Sequence, residues 1–288
     1  MPRTRTLTIA YTPDSDDAFY YFALETGRVR VPGFLPEFHR EPMSALNSAA
    51  LGGKYDVTAI SSVLYPQVAD RYAILGVGTS VGRGYGPVLV GKEPLTPDDL
   101  RGRRVGVPGV PTTGWFLLRR LCPEAVPVEM AFDRIGAAVA AGELDAGVMI
   151  HEELLYYPRL GLRRIVDLGG WWCREHGLPL PVGLNVVRRD LGARAIWRVA
   201  AAIRSSLLFA LRYRDDALDH VRRFGRGAEG QCTECFVEMF ANADSCRMSE
   251  DVRAALPVLF AEVAGVCDTD PAPPLDVVEE VAVGRVAG

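Results

Sequence analysis

The chain has 288 residues, 49% of them hydrophobic and 24% charged, with a formal net charge of -4. That length suits two lobes or one large α/β domain, and the composition excludes wholesale disorder. The faintly acidic balance, with no basic surplus or stripe, argues against a nucleic-acid partner.

Six cysteines, at 122, 173, 232, 235, 246 and 267, invite a disulfide reading. Residues 1–11 carry two arginines but no long apolar run and no small-residue cleavage pattern. No apolar run approaches the ~20 residues that span a bilayer. The expectation is therefore a cytoplasmic protein with reduced thiols and no membrane partner.

Residues 7–11 read as a strand and 17–25 as a helix. A second strand over 34–40 precedes a helix over 43–51, and a third strand over 56–60 precedes a helix over 62–70. This β-α-β-α-β order predicts parallel strands joined by crossover helices. Gly76, Gly78, Gly82, Gly84 and Gly86 follow, leading into Val88, Leu89 and Val90. A dinucleotide fingerprint needs its glycines between a strand and a helix. Here they enter another strand, so bends or a crossing between lobes fit better.

A second α/β unit places strands at 103–107, 126–131 and 145–150 and helices at 113–121 and 134–141, with a short helix from Glu152. Residues 183–189 read as a strand crossing back, and helices follow at 195–213, 215–224, 231–242 and 250–266. The tail after Asp268 reads as an extended segment and a short helix. The fold class expected is α/β, with two lobes, a hinge and a cleft between them. Residues 1–90 plus 185–288 form the first lobe and 91–184 the second. Such clefts are preferred small-molecule sites.

Ligands of parallel sheets bind beyond the carboxyl ends of the strands. Four loops qualify: residues 12–17, Ser61 and Ser62, residues 108–113, and residues 151–153. Each lies between a strand and a helix, where free N–H groups suit an anion. Asp14, Asp16 and Asp17 are read as helix-start acids, as direct ligand contacts or as a metal site. Ser61, Ser62, Thr112 and Thr113 can cap helices and hold ligand carboxylate oxygens with the same groups.

Of the four histidines, at 39, 151, 176 and 220, only His151 ends an apolar strand facing the cleft. An imidazole there can serve as general base near pH 7 with little tuning; the competing reading is a core or capping histidine. No second histidine follows at zincin spacing. The Cys232-x-x-Cys235 pair lacks a partner pair, which favours ordinary core or surface cysteines over zinc or redox chemistry. Arg188, Arg189 and Asp190 read as a solvated strand end.

Taken together, TPDSDDAFYYFAL, DVTAIS, VGRGYGPVLV, VPGVPTTGWFLL, GVMIHEELLYYPRLGL, VDLGGWWCREHGLPLPVG and NVVRRDLG resemble the 1,4-dihydroxy-6-naphthoate synthase family of the futalosine route to menaquinone. The likeness runs nearly the whole chain, and Ile150-His151-Glu152 and the HGLPLPVG run are its most specific parts. It implies a periplasmic-binding-protein-like (type 2) fold used as an enzyme. It implies a carbon–carbon lyase that converts cyclic dehypoxanthinylfutalosine to 1,4-dihydroxy-6-naphthoate and dihydroxyacetone without a metal or organic cofactor. The family's proton acceptor falls on His151, and its substrate-contact segments fall on Ala59, Ile60 and Ser61 and on Thr112 and Thr113. The family pattern carries a lysine where Ala59 stands and an asparagine near Asp16, so a cation is lost and a carboxylate gained. A chorismate dehydratase-like enzyme, or a carboxylate-binding protein without turnover, stands as the alternative on the same fold. In each case the partner expected is a small carboxylate.

Overall fold

A computed structural model describes residues 5–223, 230–267 and 274–278. The chain opens with β1 (Arg5–Tyr11), α1 (Ser15–Glu25), β2 (Phe34–Arg40), α2 (Met43–Leu51) and β3 (Val57–Ser61), in the predicted alternation. Short elements follow: α3 (Tyr65–Val68), β4 (Tyr72–Leu75) and β5 (Ser80–Gly82). The second unit holds β6 (Val88–Gly91), β7 (Arg104–Val107), α4 (Thr113–Leu121), β8 (Val126–Glu129), α5 (Phe132–Ala141) and β9 (Ala146–Met149). It closes with α6 (Glu153–Tyr156), β10 (Arg163–Asp167) and α7 (Leu168–His176). The chain returns through β11 (Leu180–Arg188) and finishes with α8 (Ala193–Arg212), α9 (Arg214–Arg222), α10 (Gly230–Phe240), α11 (Ala243–Cys246), α12 (Glu250–Cys267) and β12 (Val277–Val278).

Two sheets result, in the orders β12-β4-β11-β3-β1-β2, with β5 also on β11, and β10-β6-β9-β7-β8. β1 lies parallel between β2 and β3, as the alternation predicts. β11 breaks the parallel pattern by running antiparallel between β3 and β4. Both crossings fall earlier than the sequence reading placed them. Val88–Gly91 pairs with β9 and β10 in the second sheet, and Leu180 already pairs with Gly82 in the first. Several elements escaped the sequence reading, three of them for evident local reasons. β4 is only four residues, β10 begins with two arginines, and α7 opens on a glycine pair. The helix expected over 62–70 is a turn of 3-10 helix and then α3, with Pro66 in its first turn. The residues at 224 and beyond 278, on which parts of the expected helix and tail fall, lie outside the described residues.

α1 is buried from Ser15 to Leu24 and packs against α8, α9 and α10, so its apolar all-round composition belongs to a core helix. One apolar cluster runs through both units. Ile60, Tyr65, Ile74 and Phe260 of the first meet Leu89, Val105, Phe116 and Trp172 of the second. Each such side chain contributes roughly 1.5–3 kcal/mol on burial, so the units are joined by a shared core as well as by two chain crossings. Among the described residues no helix is long and apolar enough to cross a membrane. Cys122, Cys173, Cys235, Cys246 and Cys267 are free thiols, and the Cys232 side chain lies outside the described residues.

At the first crossing the backbone runs hard against α7. A Cβ on Gly169 would stand 2.1 Å from Tyr85 O and 2.6 Å from Gly86 N. Backbone cannot rotate out of the way, so the clash outweighs the ~1 kcal/mol that alanine gains over glycine in a helix. Gly169→Ala is expected to lower unfolding stability by about 1–3 kcal/mol, read as a lower urea midpoint. An unchanged midpoint would show that this crossing yields.

Candidate functional site

The loops after β1, β3, β7 and β9 converge on one cleft between the units, with about 710 Å³ of empty space, its open mouth included. Its lining includes Asp14 and Asp16 from the first loop, Ala59, Ile60 and Ser61 from the second, Thr112 and Thr113 from the third, and His151 from the fourth. Of the residues singled out from the sequence, these eight and Asp17 border the same space. Ser62 is fully buried and does not line it.

His151 follows the buried strand β9 at Ile150 and takes a left-handed backbone, φ 55°, rare for a residue with a side chain. Its Nδ1 meets Asp14 Oδ2 at 2.5 Å, and its ring stands edge-on to Phe132 with centroids 4.7 Å apart. Its Nε2 is buried and has no hydrogen-bond partner. Burial by itself would lower the imidazole pKa. The charge of Asp14 and the contact with it, helped by Glu152 and Glu153, overcome that and carry it up to about 9. The expectation of little tuning is therefore corrected. The sequence showed the histidine at the strand end but not the carboxylate that meets it.

The acidic cluster resolves into separate tasks. Asp14 occupies the position before α1, yet its side chain does not cap the helix and turns to His151 instead. Asp17 accepts from Thr12 N at 2.9 Å and Thr12 Oγ1 at 2.6 Å, which fixes the loop, and burial pushes its carboxyl up to about 6. Asp16 accepts from Ser80 Oγ at 3.2 Å. Burial first, then the charges of Asp17, Asp14 and Glu152, hold Asp16 well above the usual carboxylate range. Among the described residues no group of three or more His, Cys, Asp or Glu is arranged to hold a metal ion.

The hydroxyls are held as tightly. Thr112 caps α4, accepting from Trp115 N at 3.2 Å and donating to Gly109 O at 2.9 Å. Thr113 Oγ1 donates to Val182 O at 2.7 Å. Ser61 is gripped by Asn47, whose Nδ2 donates to Ser61 Oγ at 3.0 Å and whose Oδ1 accepts from Ser61 N at 2.9 Å. Asn185, in β11, accepts from Tyr21 OH at 3.0 Å and donates to Gly78 O at 2.9 Å, on the opposite wall.

Sequence reasoning missed Asn47, Asn185, and Phe236 and Phe240, which bring two aromatic rings from α10 to the lining. The two asparagines had a visible signal, each a lone amide inside an otherwise apolar run, MSALNSAAL and LPVGLNVVR. The phenylalanines had none, because only tertiary packing brings α10 to this cleft. Arg188 and Arg189 pair with Asp190 and Asp276 at the surface, the solvated arrangement expected.

The arrangement offers one imidazole with an orienting carboxylate, polar groups at two helix-start loops and apolar walls. The family model for menaquinone biosynthesis matches residues 7–264. The chain is 41% identical over 256 residues to the 1,4-dihydroxy-6-naphthoate synthase of Thermus thermophilus, covering 89% of this chain and 93% of the relative. It is 34% identical over 265 residues to the Streptomyces coelicolor protein of the same name, covering 90% and 93%. A solved structure of an Archaeoglobus fulgidus protein superposes with a TM-score of 0.86 at 40% identity, over 91% of this chain and 98% of that one. The alkanesulfonate-binding protein of Xanthomonas axonopodis shares the two-lobed periplasmic-binding-protein-like fold alone, with a TM-score of 0.69 at 16% identity over 95% and 98% of the chains. By this extent of match the chain belongs to the menaquinone biosynthesis family, among relatives named 1,4-dihydroxy-6-naphthoate synthase.

Proposed function

We propose that this protein is a carbon–carbon lyase that releases 1,4-dihydroxy-6-naphthoate and dihydroxyacetone from cyclic dehypoxanthinylfutalosine, with His151 as the general base. The observation that carries the reading is the buried His151–Asp14 pair beside a cleft that is otherwise lined, apart from Asp16 and Asp17 of the same loop as Asp14, by apolar or neutral polar residues. His151 Nε2 removes a proton next to an activated carbon of the substrate. The bond to the three-carbon fragment then breaks, and the ring gains aromatic stabilisation. Asp14 fixes the imidazole plane and steadies the charge that the ring takes up. The substrate carboxylate is met by the Ser61 hydroxyl, which accepts from Asn47 and keeps its own proton to donate, and by the backbone N–H groups that open α4 at Thr113, while Thr112 and Thr113 spend their hydroxyl protons on Gly109 O and Val182 O and so fix that helix start. Ile60, Phe236 and Phe240 supply the apolar contact that a flat ring requires.

The assay is incubation with cyclic dehypoxanthinylfutalosine, followed by naphthoate absorbance. His151→Ala is expected to lower kcat by roughly 10²–10⁴-fold in a folded protein. Full turnover by that variant removes His151 from the mechanism, and consumption of chorismate instead removes the substrate assignment.

A base acts only when it is free of its proton. With the imidazole held near 9, kcat/KM of the free protein is expected to rise with pH through about 9. Replacing Asp14 by asparagine removes the charge that raises His151. The limb in the Asp14→Asn protein should then move down toward the ordinary histidine value of about 6.5, with a lower plateau because the weaker base is also less well oriented. A limb that stays in place would show that the profile belongs to another group.

A further inference from the structure

The residue after His151 makes a contact as specific as that of His151 itself. Glu152 is 1% exposed. Its Oε1 accepts from Ser15 N at 2.9 Å and from the Ser15 hydroxyl. Ser15 is the first residue of α1 and belongs to the first unit, whereas Glu152 follows β9 of the second. Two consecutive residues on one side of the cleft, 151 and 152, therefore grip two consecutive residues on the other, 14 and 15. Two adjacent contacts fix both the separation and the twist of the facing loops, which a single contact leaves free.

We propose that Glu152 is a positioning residue, whose grip on the start of α1 closes the units over the substrate and thereby brings His151 against Asp14. The inference rests on His151 being the base of the proposed reaction. A carboxylate buried without donors is strongly unfavourable, and the donors here come from the opposite unit. Separating the units removes them, and Glu152 must then move to water. The His151 backbone adds to the argument. A left-handed backbone is strained for a residue with a side chain, so this loop conformation needs contacts on both sides to hold it. Other polar contacts between the units, from Asn47 to Pro111 and from Arg120 to Glu262, involve neither His151 nor its neighbours.

Ser15→Pro tests the grip without deleting a charge. Proline is well tolerated at the first helical position, whose N–H has no partner inside the helix. Asp14 already has the extended backbone, φ -91° and ψ 162°, that a residue before proline adopts. The substitution removes both donors to Glu152. The groups that face His151, namely Asp14, Asp16 and Asp17 from the first unit and Glu152 and Glu153 from the second, stay in place. Four histidines make the imidazole signals assignable by NMR, with His151→Ala identifying the relevant one.

In the native protein that signal is expected to titrate near 9. In Ser15→Pro it should move toward the ordinary value of about 6.5, while kcat/KM falls by about tenfold or more. An unmoved titration in a folded Ser15→Pro protein overturns the proposal, including when the melting temperature has dropped, since that combination means a merely structural contact. If Ser15→Pro does not fold, Ser15→Ala serves. It removes the hydroxyl alone and should shift the titration in the same direction by less, and no shift overturns the proposal equally. The titration is read without substrate, so a wrong assignment of the base would show in the turnover of His151→Ala and leave this result standing.

Discussion

The contact between Asp14 and His151 governs this molecule because each partner is brought by a different sheet. Asp14 lies in the loop after β1, next to the β2 edge of the first sheet, and His151 follows β9, in the middle of the second. A charge pair taken out of water is worth having only when its geometry is good and its neighbours supply further contacts. The surroundings meet that demand. Thr12 ties down Asp17 in the same loop, Ser15 receives Glu152, and Phe132 backs the imidazole. The cluster at the cleft is otherwise rich in carboxylates, which is why the imidazole keeps its proton so firmly.

The substrate proposed above is an anion, and that abundance of negative charge bears on how it would be received. Ala59 lines the cleft without a charge, and the protein as a whole carries a net charge of -4. Among the described residues that line the cleft, none is a lysine or an arginine. Reception falls to neutral donors in fixed positions, with Asn47 holding Ser61, and Thr112 and Thr113 opening α4. These groups lie in the loops after β3 and β7, whereas Asp14 and His151 lie in those after β1 and β9. Under the proposed function, binding and proton transfer would therefore use different strand ends, and the carboxylates at one need not repel the ligand at the other.

The order of elements was legible because the apolar periods of β1 through α2 and of β7 through β9 are regular and bounded by turn residues. His151 was legible for the same reason, as a polar ring standing directly after an apolar strand. Asp14 was visible only as one acid among three. Which of them met the histidine depended on how the two sheets approach, and no local pattern encodes that. The antiparallel course of β11 was hidden too. An apolar strand reads the same in either direction, and the parallel inference from neighbouring β-α units does not extend to a strand that returns after a long excursion. Phe236 and Phe240 reach the lining from α10, a helix whose own pattern shows only that it has an apolar face.

The position of β11 also dictates an order of events during synthesis. It fills the gap between β3 and β4, yet it emerges only after the whole second unit has been made. Until then the first sheet is split, and β3 and β4 each present a row of unpaired backbone groups on an apolar strand. Such edges pair readily with other chains. The second unit depends on no later strand for its own sheet, so it can complete its sheet while the first waits. A nascent chain of this fold thus passes through a stage in which its later-made part is finished and its earlier-made part is vulnerable. That stage ends when residues 183–187 of the returning strand pair with β3 and residues 186–188 with β4.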